Sequence, residues 1–126
     1  MKQFGYEFIV DCKGADNIKI RSLENIQAFV DELIEKTGMQ KMCSMHSYYL
    51  PDTIDNREMG IIGWSICQFI QTSSITAHFC EGEYNGTIYL NFFSCKLFEA
   101  EDVIRLLIKY FNCFIVNKHF LDRNAC

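Results

Sequence analysis

A histidine at 78 and a cysteine at 95 are the first residues in this chain whose types could do chemistry together. An imidazole exchanges protons near neutral pH, and a nearby histidine makes a thiol easier to ionise. Side by side, they would form a proton-transfer pair. The stretch Tyr84-Asn85-Gly86-Thr87 carries Asn-Gly, a strong signal for a two-residue hairpin loop. With that loop Tyr84 faces Thr87, Cys80 faces Asn91, His78 faces Phe93 and Thr76 faces Cys95. Thr76, His78, Cys80, Tyr89, Asn91, Phe93 and Cys95 then share one sheet face, and His78 and Cys95 become diagonal neighbours about 5–8 Å apart. A half-buried histidine beside an ordinary cysteine fits the same spacing, so the pair alone specifies no reaction. A cysteine protease finds no support, because nothing supplies its substrate cleft or oxyanion hole.

The elements that must position this pair follow from periodicity. Residues 6–12 form an apolar run read as a strand. Ser22 can cap a helix in which Leu23, Ile26, Phe29, Val30, Leu33 and Ile34 recur at helical spacing, with Gly38 past its end. Strands are expected over 42–50, 61–70, 75–80, 87–94 and 114–120, with 51–59 a polar loop. A second helix over 99–111 places Ala100, Val103, Ile104, Leu107 and Phe111 on one face. The expected class is α+β, with two helices on one face of an antiparallel sheet in a two-layer sandwich. The other face is also rich in apolar and aromatic residues, which predicts a homodimer.

The chain has 126 residues, the length of one domain, and 49% are hydrophobic. The net charge of −4, with no basic block, argues against nucleic acid or an anionic membrane as partner. Met1-Lys2-Gln3-Phe4-Gly5 does not read as a signal peptide, and no apolar run approaches a membrane span. A cytoplasmic protein is expected. The seven cysteines (12, 43, 67, 80, 95, 113 and 126) are odd in number and lack CxxC spacing. That argues against a disulfide scaffold or a metal site, and most of them read as small buried residues.

Beyond the first pair, the motifs resemble those of the small bacterial and archaeal S-adenosylmethionine decarboxylases, which are pyruvoyl enzymes. Gly5-Tyr6-Glu7-Phe8-Ile9-Val10-Asp11-Cys12-Lys13-Gly14 is similar to that family's glycine-led first strand. Gly63-Trp64-Ser65 resembles its Gly-Val-Ser. Thr72-Ser73-Ser74-Ile75-Thr76-Ala77-His78 resembles its Glu-Ser-His stretch that leads to a second histidine. Phe92-Phe93-Ser94-Cys95 resembles its Val-Phe-Thr-Cys.

The resemblance implies a role for four residues. Ser73 is the pyruvoyl precursor, through which a Schiff base to the substrate forms. Ser65 assists processing, His78 is the processing base and Cys95 is the catalytic proton donor. It implies self-cleavage between 72 and 73, a self-derived pyruvoyl group as cofactor, and S-adenosylmethionine as a substrate decarboxylated for spermidine synthesis. Such a carbonyl draws electrons from a bound amine, so a carboxylate can leave. Glu81 and Glu83 are candidates to bind ribose hydroxyls, and Phe79, Tyr48 or Tyr49 to stack on adenine.

The chain also departs from the family pattern. Thr72 stands where the family has Glu, Ser74 where it has His, and the family's Trp and Pro after the second histidine are missing. The substrate can therefore be arginine or ornithine instead, or the chain can be a non-cleaving ligand-binding relative. Ser73 also lies an odd number of residues from His78. A regular strand puts those two on opposite faces and Ser74 on the face of His78. The family spacing favours Ser73 as the nucleophile.

Overall fold

Along residues 73–80, Ser73, Ile75, Ala77 and Phe79 are buried, while the residues between them stay open or half-open to solvent. That period of two makes a strand with one face on a core. The computed structural model, which describes residues 5–123, repeats this pattern across a six-stranded antiparallel sheet. The chain start, the basis for expecting no signal peptide, lies partly outside those residues, as does Cys126.

The strands are β1 (Tyr6–Ala15), β2 (His46–Leu50), β3 (Gly63–Ile70), β4 (Ser73–Cys80), β5 (Gly86–Ser94) and β6 (Phe114–Asp122). Their spatial order is β2-β3-β4-β5-β1-β6. Helices α1 (Asn17–Arg21), α2 (Leu23–Lys36), α3 (Ile54–Met59) and α4 (Ala100–Phe111) complete the described chain. The expected α+β class holds.

The apolar stripe of α2, from Ile26 to Ile34, and that of α4, from Val103 to Phe111, join one face of the sheet in a single core. Phe111 lies between Phe29 and Phe79, with ring centroids 5.2 and 5.1 Å away. Polar bonds fix the two helices side by side. Asn25 donates to the Tyr110 carbonyl at 2.8 Å, and Glu32 accepts from both Lys109 and the Tyr110 hydroxyl. Ser22 caps α2 as its sequence indicates, its hydroxyl accepting from Asn25 N at 3.1 Å.

Several expectations are corrected. The stretch 51–59 is not all loop, because Thr53 caps α3 through a bond from Asn56 N. The second strand is confined to His46–Leu50. The five-residue α1, capped by Asp16, was not anticipated. Of the six described cysteines only Cys12 and Cys113 are buried.

The largest correction is the hairpin. Asn85-Gly86 does not form a two-residue loop: Cys80 pairs with Thr87, and residues 81–85 make the connection. Three observations account for this. The Asn17 side chain binds both the N–H and the carbonyl of Gly82. Arg21 and Tyr49 both bond to the Glu81 carboxylate. Gly86 becomes the first residue of β5, where a Cβ would strike Ile20 and the Cys80 carbonyl. The partner of every β4 residue therefore moves by four positions, so His78 faces Tyr89, not Phe93.

Candidate active site

A shift of four is even, so the residues expected to share a face still do, but the neighbours change. Cys95 does not stand opposite Thr76. It lies at the far end of β4, where its Sγ accepts a bond from Thr72 Oγ1 at 2.7 Å. His78 is six residues along β4 from Thr72, about 20 Å at ~3.3 Å per residue. The expected His78–Cys95 proximity is therefore not met within one chain.

Two separate clusters stand in its place. The first surrounds the 72–73 peptide bond. The Cys95 N–H donates to Ser73 Oγ at 3.1 Å, and Ser73 Oγ–H lies 3.8 Å from Cys95 Sγ. Ser73 is buried on the helix side, whereas Thr72 and Cys95 are exposed. Two hydroxyl donors, Thr72 first and Ser73 after it, hold the Cys95 thiol below the ordinary cysteine range against the opposing effect of burial. A cleft of about 600 Å³ opens here, lined by Met39, Gln40, Gln71, Thr72, Cys95 and Lys96. Met39, Gln40 and Lys96 were not singled out from sequence. Their approach depends on the 37–45 connection folding back along β3, where Gln71 N donates to the Gln40 carbonyl.

The second cluster joins Ser65 and His78, directly opposed on β3 and β4, with Ser65 Oγ 2.8 Å from His78 Nδ1. Both look onto the sheet face that carries no helix, in a recess of about 310 Å³ with Leu50 and Tyr89. The structure thus unites the two residues assigned to processing and, separately, the two assigned to cleavage and proton donation.

The parity question also has a structural answer. β4 pairs regularly with β3 from Ser73 to Cys80, so no bulge turns Ser73 toward His78. Ser74 is the serine on the His78 face, but Ser73 is the one bonded to Cys95.

The sequence model of the S-adenosylmethionine decarboxylases matches residues 6–124. The chain belongs to that family. Members of the S-adenosylmethionine decarboxylase family are carboxy-lyases, and this chain is an enzyme of that type. Its fold is similar to that of the adenosylmethionine decarboxylase from Aquifex aeolicus VF5, with a TM-score of 0.76 at 19% identity, over 100% of this chain and 95% of that one. At that identity the likeness speaks for the fold alone. No curated protein matches the sequence significantly.

The residues expected to bind substrate are distributed differently. Glu81, Glu83 and Tyr49 line one cleft of about 650 Å³ with Arg21, Asp52 and Arg57. There the Glu81 carboxylate takes two bonds from the Arg21 guanidinium and one from Tyr49 Oη at 2.7 Å. Burial first, and the Glu81 carboxylate second, push the Tyr49 hydroxyl above the usual tyrosine range. This cleft lies at the end of β4 opposite Ser73. Phe79 is fully buried against Phe111, so its ring offers no free face for adenine. Tyr48 is exposed on the helix-free face. Among the described residues no helix is long and apolar enough to cross a membrane.

Proposed function

We propose that this chain cuts itself between Thr72 and Ser73, carries a pyruvoyl group derived from Ser73, and decarboxylates S-adenosylmethionine to supply aminopropyl groups for spermidine. The observation that carries the reading is the meeting of Ser73 Oγ with the Cys95 thiol and N–H at the 72–73 bond.

The residues present fit such a group. Ser73 Oγ attacks the Thr72 carbonyl, the peptide C–N bond gives way to an ester, and elimination across Ser73 Cα–Cβ leaves Thr72 as a carboxylate. Hydrolysis of the resulting dehydroalanine yields the ketone and ammonia. When present, that ketone supplies an electron sink for a substrate amine. The Cys95 N–H keeps residue 73 in register with β5, and the Cys95 thiol is placed to hand a proton to the substrate carbon that loses its carboxylate. The 600 Å³ cleft on the Thr72–Cys95 side gives a ligand access to this point.

Processing needs a base, and His78 lies about 16 Å along β4 from Ser73 at ~3.3 Å per residue. A second copy resolves this. Tyr48, Phe69, Tyr89 and Leu121 leave apolar surface exposed on the helix-free face. In a homodimer stacked on those faces, antiparallel along β4, the partner subunit's His78 and Ser65 approach the Ser73–Cys95 end. The partner's His78 then takes the Ser73 α-proton, and its Ser65 donates to the developing oxyanion.

Intact mass spectrometry of the purified protein tests the reading. Two fragments are expected, residues 1–72 and a lighter one beginning at position 73 with a blocked N-terminus, and the Ser73→Ala chain should stay whole. Carboxyl-labelled S-adenosylmethionine should release carbon dioxide where labelled arginine and ornithine do not. An uncut 126-residue chain that decarboxylates at full rate would overturn it.

A further inference from the structure

Ile70 and Ser73 are the last paired residues of β3 and β4, so Gln71 and Thr72 alone make the turn between them. Two-residue hairpin loops favour turns with positive φ at both residues or at the first, because those match the twist of the strands. This loop does neither. Thr72 has a φ of 58°, and Gln71 is not in the positive region. Positive φ at the second position is a site for Gly or Asn, and a β-branched residue there is an outlier.

The strain is pinned from both sides. Gln71 N donates to the Gln40 carbonyl at 3.1 Å. Thr72 Oγ1 lies 2.6 Å from the Gln71 carbonyl and 2.7 Å from Cys95 Sγ, its single proton shared between the two. A disfavoured conformation survives only where its surroundings over-determine it, and such places concentrate at functional sites. Here it falls on the residue that supplies the acyl side of the 72–73 bond.

We propose that Thr72 is a positioning residue for self-cleavage, its clamped left-handed backbone holding the 72–73 peptide in a strained state that is relieved as the Thr72 acyl group passes to Ser73 Oγ. This rests on the reading of 72–73 as the bond that is cut. In the step, the bond from Oγ to the carbonyl carbon forms, the C–N bond breaks, and the hydroxyl proton ends on the freed Ser73 nitrogen. Exchanging an amide for an ester loses peptide resonance and is unfavourable in a relaxed chain. Strain raises the peptide but not the ester, where Thr72 hangs on the flexible Ser73 side chain. Both the equilibrium and the barrier then favour cleavage.

The test times cleavage of the full chain, made by cell-free synthesis, using intact mass spectrometry. Melting temperature is read in the uncleavable Ser73→Ala background. Thr72→Gly fits the same backbone without strain and is expected to slow cleavage about 5- to 100-fold, with an equal or higher melting temperature. Thr72→Val keeps the β-branch and the Gln71 N–H bond but loses the Oγ1 half of the clamp, so it should cleave more slowly than the wild type and faster than Thr72→Gly. A glycine variant that cleaves at the wild-type rate, or one that loses cleavage and melting temperature together, overturns the proposal. So does a valine variant as slow as the glycine one. A wild-type chain that never cleaves removes the underlying reading instead.

Discussion

Cys95 is exposed, yet two hydroxyls bond to its sulfur. Hydrogen bonds to sulfur stabilise the thiolate, so its titration lies below the usual cysteine range, with Thr72 the largest cause. The sign of the consequence follows. A lower pKa means more thiolate at neutral pH, hence faster alkylation there. In the uncleaved Ser73→Ala chain, alkylation of Cys95 followed by peptide mapping should show a midpoint below that of an unperturbed cysteine. Adding Thr72→Val removes the main donor and should move the midpoint to higher pH. An unmoved midpoint would show that the Thr72 bond does not govern the thiol. At this scale the family motifs pointed to Ser65, Ser73, His78 and Cys95, and the structure brings them together as two pairs, Ser65 with His78 and Ser73 with Cys95. Phe79 was assigned to the ligand, yet its alternation with His78 along one strand already put it on the opposite, core-facing side. The Thr72–Cys95 bond was not legible in the sequence, because it depends on a strand register that the residues do not display.

That register is settled by neighbouring elements. Asn-Gly is a strong turn signal, but it was outweighed by Asn17, Arg21 and Tyr49 gripping residues 81 and 82 from outside the hairpin. Long-range contacts of this kind leave no period in the sequence. The strands and the two long helices were readable because burial imposes periods of 2 and 3.6 on them. The short α1 and α3 lack such a stripe, α3 burying no residue at all. One glycine does carry the element-level message. Gly63 has a φ of 136°, and a Cβ there would overlap the Phe79 carbonyl oxygen on β4. Gly63→Ala must push β3 from β4 two residues before Ser65. In the Ser73→Ala background the backbone strain of about 1–3 kcal/mol should lower the melting temperature by roughly 4–11 °C. In the cleavable chain the Ser65–His78 bond should loosen and processing slow, which a time course of fragment formation would reveal.

At the scale of the whole molecule, one sheet face is closed by helices and the other holds the Ser65–His78 pair with exposed Tyr48, Phe69 and Tyr89. The two clusters sit apart on a rigid strand, and a fully paired strand in the middle of a sheet cannot fold to bring its own ends together. If both take part in one reaction, they must come from different chains. This arrangement makes a sharper prediction than oligomeric state alone. A Ser73→Ala chain cannot be cut but still offers His78, while a His78→Ala chain keeps its own Ser73 but has no base to offer. Expressed separately, neither should be processed at an appreciable rate. Co-expressed with distinguishable tags, the mixed dimer should contain one complete site, built from Ser73 of the second chain and His78 of the first. Only the His78→Ala chain should then appear as fragments, and only in fractions that elute as dimer. Since mixed dimers form half of a random population, about half of that chain should be cut. If the His78→Ala chain is cut as readily on its own as in the mixture, the histidine is acting within its own protomer or not at all. The stacking of helix-free faces would then lose its chemical reason.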